Sequence, residues 1–266
     1  MAEMKNPTRT GPMIEFRGTG KSFGDLKVLH QVDLQVAQGE FLVLLGASGC
    51  GKSTMLNLVS GFERASTGSV WVNGREVKDV DPACGMVFQQ YALFPWKTVR
   101  ENVEFGLKMR GVSRAERARV AQHYIEMVGL KGFEDSFPNK LSGGMKQRVS
   151  IARVLANDPD VMLFDEPFAA LDAMTRQVLQ EQLLQIYEKS GKTIIFITHS
   201  IDEALMLSTR MVVMGAKPGR VVQDIDNDLP HPRTAEVQLS SRYIELKRSI
   251  WETVQVEVMK GLEGVK

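Results

Sequence analysis

The sequence predicts an α/β fold: a mostly parallel β-sheet covered by helices, accompanied by an antiparallel β section and interrupted by an inserted helical block. Three observations carry this. The run "FLVLLG" (41–46) is continuously apolar, as a strand buried on both faces is, and the runs "VMLFDEP" (161–167) and "TIIFITH" (193–199) read as further strands. Helical spacing separates the second run from the third, and strand–helix–strand alternation implies a parallel sheet. From about Tyr91 to Asn157 the β pattern disappears and charged, helix-favouring stretches such as "SRAERARVAQHYIEMVGL" replace it.

Taken in order, residues 1–12 are polar, contain Pro7, Gly11 and Pro12, and read as a flexible leader. Order is expected from Met13, with "MIEFRG" and "VDLQVAQGE" as strands joined by turns. "SVWVNG" reads as a hairpin arm closed by Asn-Gly, and "GMVFQ" as a further short buried strand. The helical block is placed at about 91–157, inside a domain spanning 13–235. Leu179, Leu183, Ile186 and Tyr187 share one helical face, which Gly191 terminates. Ser200 and Glu203 are spaced as a capping box opening the next helix. A last helix, in 236–266, carries the stripe Tyr243, Leu246, Ile250, Val254 and Val258, read as packing.

Composition excludes several classes. Lys plus Arg (33) nearly equals Asp plus Glu (32) with no long run of either sign, so a nucleic-acid partner is disfavoured. Two cysteines, Cys50 and Cys84, are too few for a disulfide framework and suit a reducing compartment. The N-terminus has no apolar core of a secretion signal, and no apolar run approaches the ~18 residues that span a bilayer. A cytoplasmic location is expected, and any membrane role must come through a partner.

Directly after the first buried run comes "GASGCGKST" (46–54), which fits G-x-x-x-x-G-K-S/T and leads into the apolar helix "MLNLVS". The spacing has a chemical reason. Gly46, Gly49 and Gly51 let the backbone of Ala47, Ser48 and Cys50 curl so that its N–H groups point at phosphate oxygens. The following helix adds its positive end, Lys52 reaches the β- and γ-phosphates, the Ser53 hydroxyl ligates Mg²⁺, and Thr54 closes the motif. Cys50 reads as a compact filler rather than a reactive thiol. "VMLFDEP" then supplies Asp165 to hold Mg²⁺ and Glu166 to polarise an attacking water, an assignment that gains its weight from the lysine loop upstream. His199, at the end of the following strand, is placed to touch the γ-phosphate. The ligands expected are the phosphates of a nucleotide and Mg²⁺, and the resemblance stated next makes that nucleotide ATP.

A second glycine-rich helix start, "LSGGMKQR" (141–148), lies far from that lysine. With it, the chain from about Met13 to Pro232 resembles the ATP-binding subunit of an ATP-binding cassette (ABC) transporter, a phosphate-loop NTPase core with an inserted helical subdomain. The resemblance implies that Phe23 in "KSFGD" stacks on adenine, although a core phenylalanine is the competing reading. It implies that Gln89 in "VFQQ" contacts Mg²⁺ or water, spacing from "MVF" choosing it over Gln90, and that Asp172 in "AALD" belongs to a loop reaching a second copy. It implies that His199 is a switch histidine. It also implies that two cassettes pair head to tail, so that Ser142, Gly143 and Gly144 of one face the ATP held by the other. Capping of a helix by Ser142 is compatible with that role.

One cassette without a membrane span, and too short for an added regulatory domain, resembles importer subunits. "LFPWKTVRENVEFGLKMRG" and "KPGRVVQDIDNDLPHPR" resemble the nitrate, sulfonate and taurine branch, with Trp96 also readable as packing of the helical block. The implied partners are a second ATP-binding subunit (a homodimer), transmembrane permease subunits and, indirectly, a periplasmic solute-binding protein, with the chain peripheral on the cytoplasmic face of the inner membrane. A soluble cassette acting on ribosomes or DNA, and a sensor that binds without hydrolysing, are the competing classes.

Overall fold

The computed structural model describes residues 11–169 and 171–263. Residues 11–81 with 192–263, and residues 82–191, form two compact units. The leader expected at 1–12 lies, for residues 1–10, outside the described residues, and Pro12 already belongs to a strand.

The first unit opens with strands β1 (Pro12–Phe23) and β2 (Leu26–Ala37), antiparallel, with Ile14 opposite Val36 and Phe16 opposite Leu34. Alternation explains the pairing: Val32, Leu34 and Val36 are buried while Gln31, Asp33 and Gln35 are exposed. Both strands run further than their apolar residues indicate. Register shifts around Gly18, at φ 53°, bend β1 and carry it to Phe23, where Gly24 and Asp25 form a two-residue hairpin loop. Strand β3 (Phe41–Gly46) is buried throughout and feeds helix α1 (Lys52–Ser60). Strands β4 (Thr67–Val72) and β5 (Arg75–Glu76) are joined by Asn73 and Gly74, both at positive φ, as a type I′ turn requires. Together β2-β1-β4-β5 make an antiparallel sheet.

In the second unit, β6 (Cys84–Val87) and β7 (Val161–Asp165) pair in parallel, Val87 opposite Phe164. Between them come helices α2 (Val99–Met109), α3 (Arg114–Met127) and α4 (Gly143–Ala156), and no strand among the described residues. Each start is chemically marked. Thr98 and Glu101 form a complete capping box for α2, Ser113 caps α3 and Ser142 caps α4. Val99, Val103, Leu107, Ala121, Ile125 and Val149 are among the buried apolar residues of this bundle. Helix α5 (Ala173–Ser190) buries Leu179, Leu183, Ile186 and Tyr187 and ends at Gly191, φ 60°.

The chain then returns to the first unit through β8 (Thr193–Ile197), α6 (Ile201–Leu207), β9 (Arg210–Gly215), β10 (Arg220–Asp226) and α7 (Ser241–Glu263). Strand β3 pairs in parallel with both β8 and β9, and β10 adds to β9 antiparallel. Such a strand has no solvent face, which is why "FLVLLG" contains no polar residue. The stripe on α7 is only partly packed. Tyr243, Leu246 and Ile250 are buried, but Val258 is exposed and Glu257 is buried in its place, its carboxylate bound by Arg220 at 3.0 Å and Lys260 at 2.8 Å. A buried acid with two cations overrides hydrophobic periodicity here.

Glycine separates two kinds of position. At Gly61, φ 78°, a Cβ would lie 2.1 Å from the Asp79 carbonyl oxygen, whereas Gly111, φ 75°, has open space. Gly111→Ala is expected to cost about 1 kcal/mol, the left-handed penalty alone, and Gly61→Ala roughly 3 kcal/mol, with overpacking added; urea denaturation of the two variants checks the difference.

Candidate functional site

The phosphate loop of the first unit begins where β3 ends. Gly46, Gly49 and Gly51 adopt φ 151°, 79° and 93°. A Cβ on Gly46 would meet the Met214 carbonyl oxygen at 2.6 Å, and one on Gly51 would meet Leu29 Cδ2 at 2.5 Å. These positions therefore need glycine for both conformation and space. Helix α1 starts at Lys52 with no side-chain cap and no acidic residue in its first turn, so its N–H groups and positive end are open to an anion. Ser48, Gly49 and Ser53 are exposed, and Ala47 and Thr54 partly so. Lys52 is buried, and its Nζ donates to the carbonyls of Gly46 (2.8 Å) and Ala47 (3.0 Å), which curls the loop around the ammonium. Cys50 is fully buried, and that burial pushes its thiol up, with Lys52 opposing; the compact-filler reading fits, because a thiolate is disfavoured.

Support for this loop comes from a residue whose role the sequence does not reveal. Gly219 hydrogen bonds Val28 and His30 on β2 through its own N–H and carbonyl, and a Cβ there would lie 2.2 Å from the Cys50 carbonyl oxygen. The Pro-Gly-Arg turn thus lies directly against the phosphate loop.

Phe23 ends β1 with 46% of its surface exposed, and Lys21 Nζ sits 4.6 Å from its ring centre. That exposure removes the core reading and leaves a ring face available for stacking. His199 is not the end of a strand as expected: β8 stops at Ile197, and His199 is exposed in the three-residue loop before α6. Ile197 pairs with Leu44, so His199 and Gly46 each lie two residues past that pair and leave the sheet at one edge. Ser200 caps α6 by accepting the Glu203 N–H at 3.3 Å, but the expected box does not close. Glu203 instead accepts the Thr198 hydroxyl, and the Ser200 N–H donates to Thr198 Oγ1.

The second unit, taken by itself, holds the other residues singled out by the sequence. Asp165 ends β7, and Glu166 follows in a left-handed conformation, φ 45°, that a non-glycine residue adopts only under constraint. Gln89 is exposed two residues past Val87, as Glu166 is two past Phe164, and those strand residues are paired. Gln89 and the acidic pair therefore leave the same edge. The chain after Gln89 is held by groups the sequence did not single out. Arg153 donates to the carbonyls of Ala92 (2.6 Å) and Tyr91 (3.3 Å), and the buried Asn102 carboxamide binds the carbonyls of Phe94, Lys97 and Thr98. A polar residue between the buried Val99 and Val103 is the one sequence feature that marks Asn102. Trp96 is 71% exposed beside Phe94, so it does not pack the helical block.

Ser142 and Gly143 are exposed at the start of α4, with Ser142 Oγ accepting the Met145 N–H at 3.3 Å. Gly144 is buried, and a Cβ there would meet Thr175 Cγ2 at 2.6 Å. Asp172 caps α5 by accepting the N–H of the same Thr175 at 3.0 Å, a bond that holds its carboxyl below the usual range. Thr175 thus brings the Ser142 helix start and the Asp172 loop together. One turn into α4, Gln147 is fully buried with neither carboxamide atom bonded among the described residues.

No cluster of three His, Cys, Asp or Glu side chains able to hold a metal occurs among the described residues. Mg²⁺ does not need one, because it keeps waters and substrate phosphates and takes one or two protein oxygens; Ser53, Asp165 and Gln89 are donors of that kind.

Gly219→Ala is expected to displace the Cys50 carbonyl and distort the phosphate loop. ATP affinity should fall by about tenfold, on the order of 1.4 kcal/mol, while far-ultraviolet circular dichroism is retained; fluorescent-nucleotide titration checks it.

The comparisons with known proteins agree with this geometry. The ABC transporter family pattern matches residues 29–169. The chain is 48% identical over 238 residues to an uncharacterised ABC transporter ATP-binding protein of Methanocaldococcus jannaschii, covering 90% of this chain and 88% of that one. It is 43% identical over 251 residues to the taurine import ATP-binding protein of Roseobacter denitrificans, covering 90% and 91%. Among solved structures, the ATP-binding cassette MJ0796, in a dimeric post-hydrolysis state bound to ADP and Pi, superposes with a TM-score of 0.71 at 34% identity, covering 80% of this chain and 98% of that one. With a glycine-built phosphate loop on one unit and a bare, serine-capped helix start on the other, the chain belongs to the ABC transporter family, as an ATP-hydrolysing cassette.

Proposed function

We propose that this cassette drives an import system: it binds ATP and Mg²⁺ at a head-to-tail dimer interface and couples hydrolysis to uptake of a small anion such as nitrate, a sulfonate or taurine through separate permease subunits. The observation that carries the dimer reading is the start of α4. Ser142 and Gly143 are exposed, the first turn has no acidic residue, and Lys146, the lysine of the motif, lies inside α4 rather than in the loop that precedes it. That is a helix start open to an anion, and the phosphates held by the loop around Lys52 of a second copy supply one. The importer and anion class rest on similarity to the taurine import protein. The periplasmic binding protein would select the solute, and the cassette would work from the cytoplasmic face.

In this reading Lys52 and the N–H groups of residues 47–53 hold the β- and γ-phosphates, and Phe23 stacks on the adenine. Magnesium, when bound, neutralises developing charge on the phosphate oxygens, and Ser53, Asp165 and Gln89 hold it. Glu166 accepts a hydrogen bond from the attacking water and turns its lone pair toward the γ-phosphorus, whose bond to the bridging oxygen breaks to release ADP and phosphate. His199 donates to the γ-phosphate, and Asp172 contributes to the facing copy's site.

Glu166→Gln keeps the shape and loses the charge. Turnover should fall by about 100-fold or more with ATP binding intact and a stable ATP-bound dimer on gel filtration; full ATPase activity would remove Glu166 from this role. Ser142→Arg should abolish ATP-dependent dimerisation and hydrolysis while leaving nucleotide binding by the monomer unchanged. Lost binding in the monomer would show that Ser142 acts within its own chain.

A further inference from the structure

The loop that carries His199 is fastened on both sides by residues with no part in nucleotide binding. On the inner side, Thr198 is buried at 3% exposure and donates its hydroxyl to Glu203, itself buried at 7%. Thr198 Oγ1 in turn accepts the Ser200 N–H at 3.0 Å, and Thr198 N–H reaches the Leu44 carbonyl of β3 at 3.3 Å. Both neighbours of His199 are therefore tied to one threonine hydroxyl. On the outer side, Asp202 accepts the Tyr243 hydroxyl at 2.6 Å and the Lys247 ammonium at 2.7 Å, both from α7. Burial alone would raise the Asp202 carboxyl, but these two bonds outweigh it and hold it below the ordinary range, so it is an anion and a strong acceptor.

The far end of α6 is held as well. The buried Arg233 guanidinium donates to the carbonyls of Leu205, Met206 and Ser208, and the Asn227 carboxamide donates to Leu205 and Ser208. Helix α6 has only seven residues and little cooperativity of its own, so its position is set by these contacts. A buried carboxylate is costly unless satisfied, yet an apolar residue at 203 would serve packing equally well. Glu203 is accounted for by what it holds.

We infer that Glu203 and Tyr243 are positioning residues for His199, with Glu203 fixing the loop through Thr198 and α7 fixing α6 through Asp202, so that the C-terminal helix forms part of the hydrolytic switch. This rests on the reading of His199 as the group that meets the γ-phosphate. A displaced imidazole would then slow the chemical step without weakening the grip of the Lys52 loop on ATP.

The test is steady-state ATPase kinetics on the full chain, alone and in a His199→Ala background. Glu203→Ala is expected to lower kcat about tenfold or more with KM for ATP changed by less than about twofold, and Tyr243→Phe to lower it several-fold. Glu203→Gln, which still accepts the Thr198 hydroxyl, should restore most of the rate. Thr198→Val should reproduce the Glu203→Ala loss and serves where Glu203→Ala does not fold. In the His199→Ala background none of these changes should lower the rate further. Full kcat in Glu203→Ala and Thr198→Val, or losses that multiply with that of His199→Ala, would overturn the inference. Full turnover in His199→Ala itself would instead overturn the assignment of His199, and the inference with it.

Discussion

A phosphate loop holds an anion with backbone N–H groups only if the backbone bends the wrong way for an ordinary residue, and β3, α1, Lys52 and Gly219 all serve that bend. Gly46 and Gly51 take positive φ where a Cβ would strike Met214 or Leu29, and Gly219 lies against the carbonyl of Cys50. The loop needs firm ends, and β3 provides one because it is hydrogen bonded on both sides and buried on both faces. Helix α1 provides the other, its first turn free of acidic residues. Lys52, buried among the carbonyls of Gly46 and Ala47, draws the two ends together.

The second unit solves a different problem, which is how to hold polar groups exposed at the ends of its strands and at a helix start. Capping by Ser142 orders the start of α4 yet leaves it exposed, and Gly144 lets that start lie against Thr175, whose N–H is taken by Asp172. Glu166, directly after β7, is held in a left-handed backbone conformation. Arg153 and Asn102 tie the segment after Gln89 to α4 and α2. Rigid support beneath exposed polar groups is what hydrolysis requires, since positioning supplies much of the rate in phosphoryl transfer.

Much of this was legible in the residues, and the exceptions share a cause. The buried parallel strands, the Asn-Gly turn, the Gly191 stop and the glycine loop all follow from local rules of period, φ or spacing. The Ser200–Glu203 pair has the spacing of a capping box, but Thr198, two residues before the cap, competes for the carboxylate and takes it. Val258 has the period of a packed stripe, but Arg220, 37 residues before Glu257, draws that acid inward instead. The hairpin at Phe23–Leu26 is polar enough to hide its strands, which persist because bulges let β1 follow β2. Trp96 has the composition of a core residue and lies at the surface.

The sequence by itself determined the fold class, the phosphate loop with its lysine, and the order of acidic pair, glycine-rich helix start and histidine, because each depends on residue type at a fixed short spacing. Tertiary structure alone decided which groups hold those residues in place: Gly219 against Cys50, Arg153 and Asn102 behind Gln89, Thr175 between Ser142 and Asp172, and Glu203 with Tyr243 around His199. Gly219 to Cys50, Arg153 to Ala92 and Tyr243 to Asp202 join segments tens to more than a hundred residues apart, whereas Asn102 to Lys97 and Glu203 to Thr198 are short reaches, each 5 residues back, that the fold selects over other local partners. No local period or propensity encodes them, because a buried polar group chooses its partner only after the chain has folded around it.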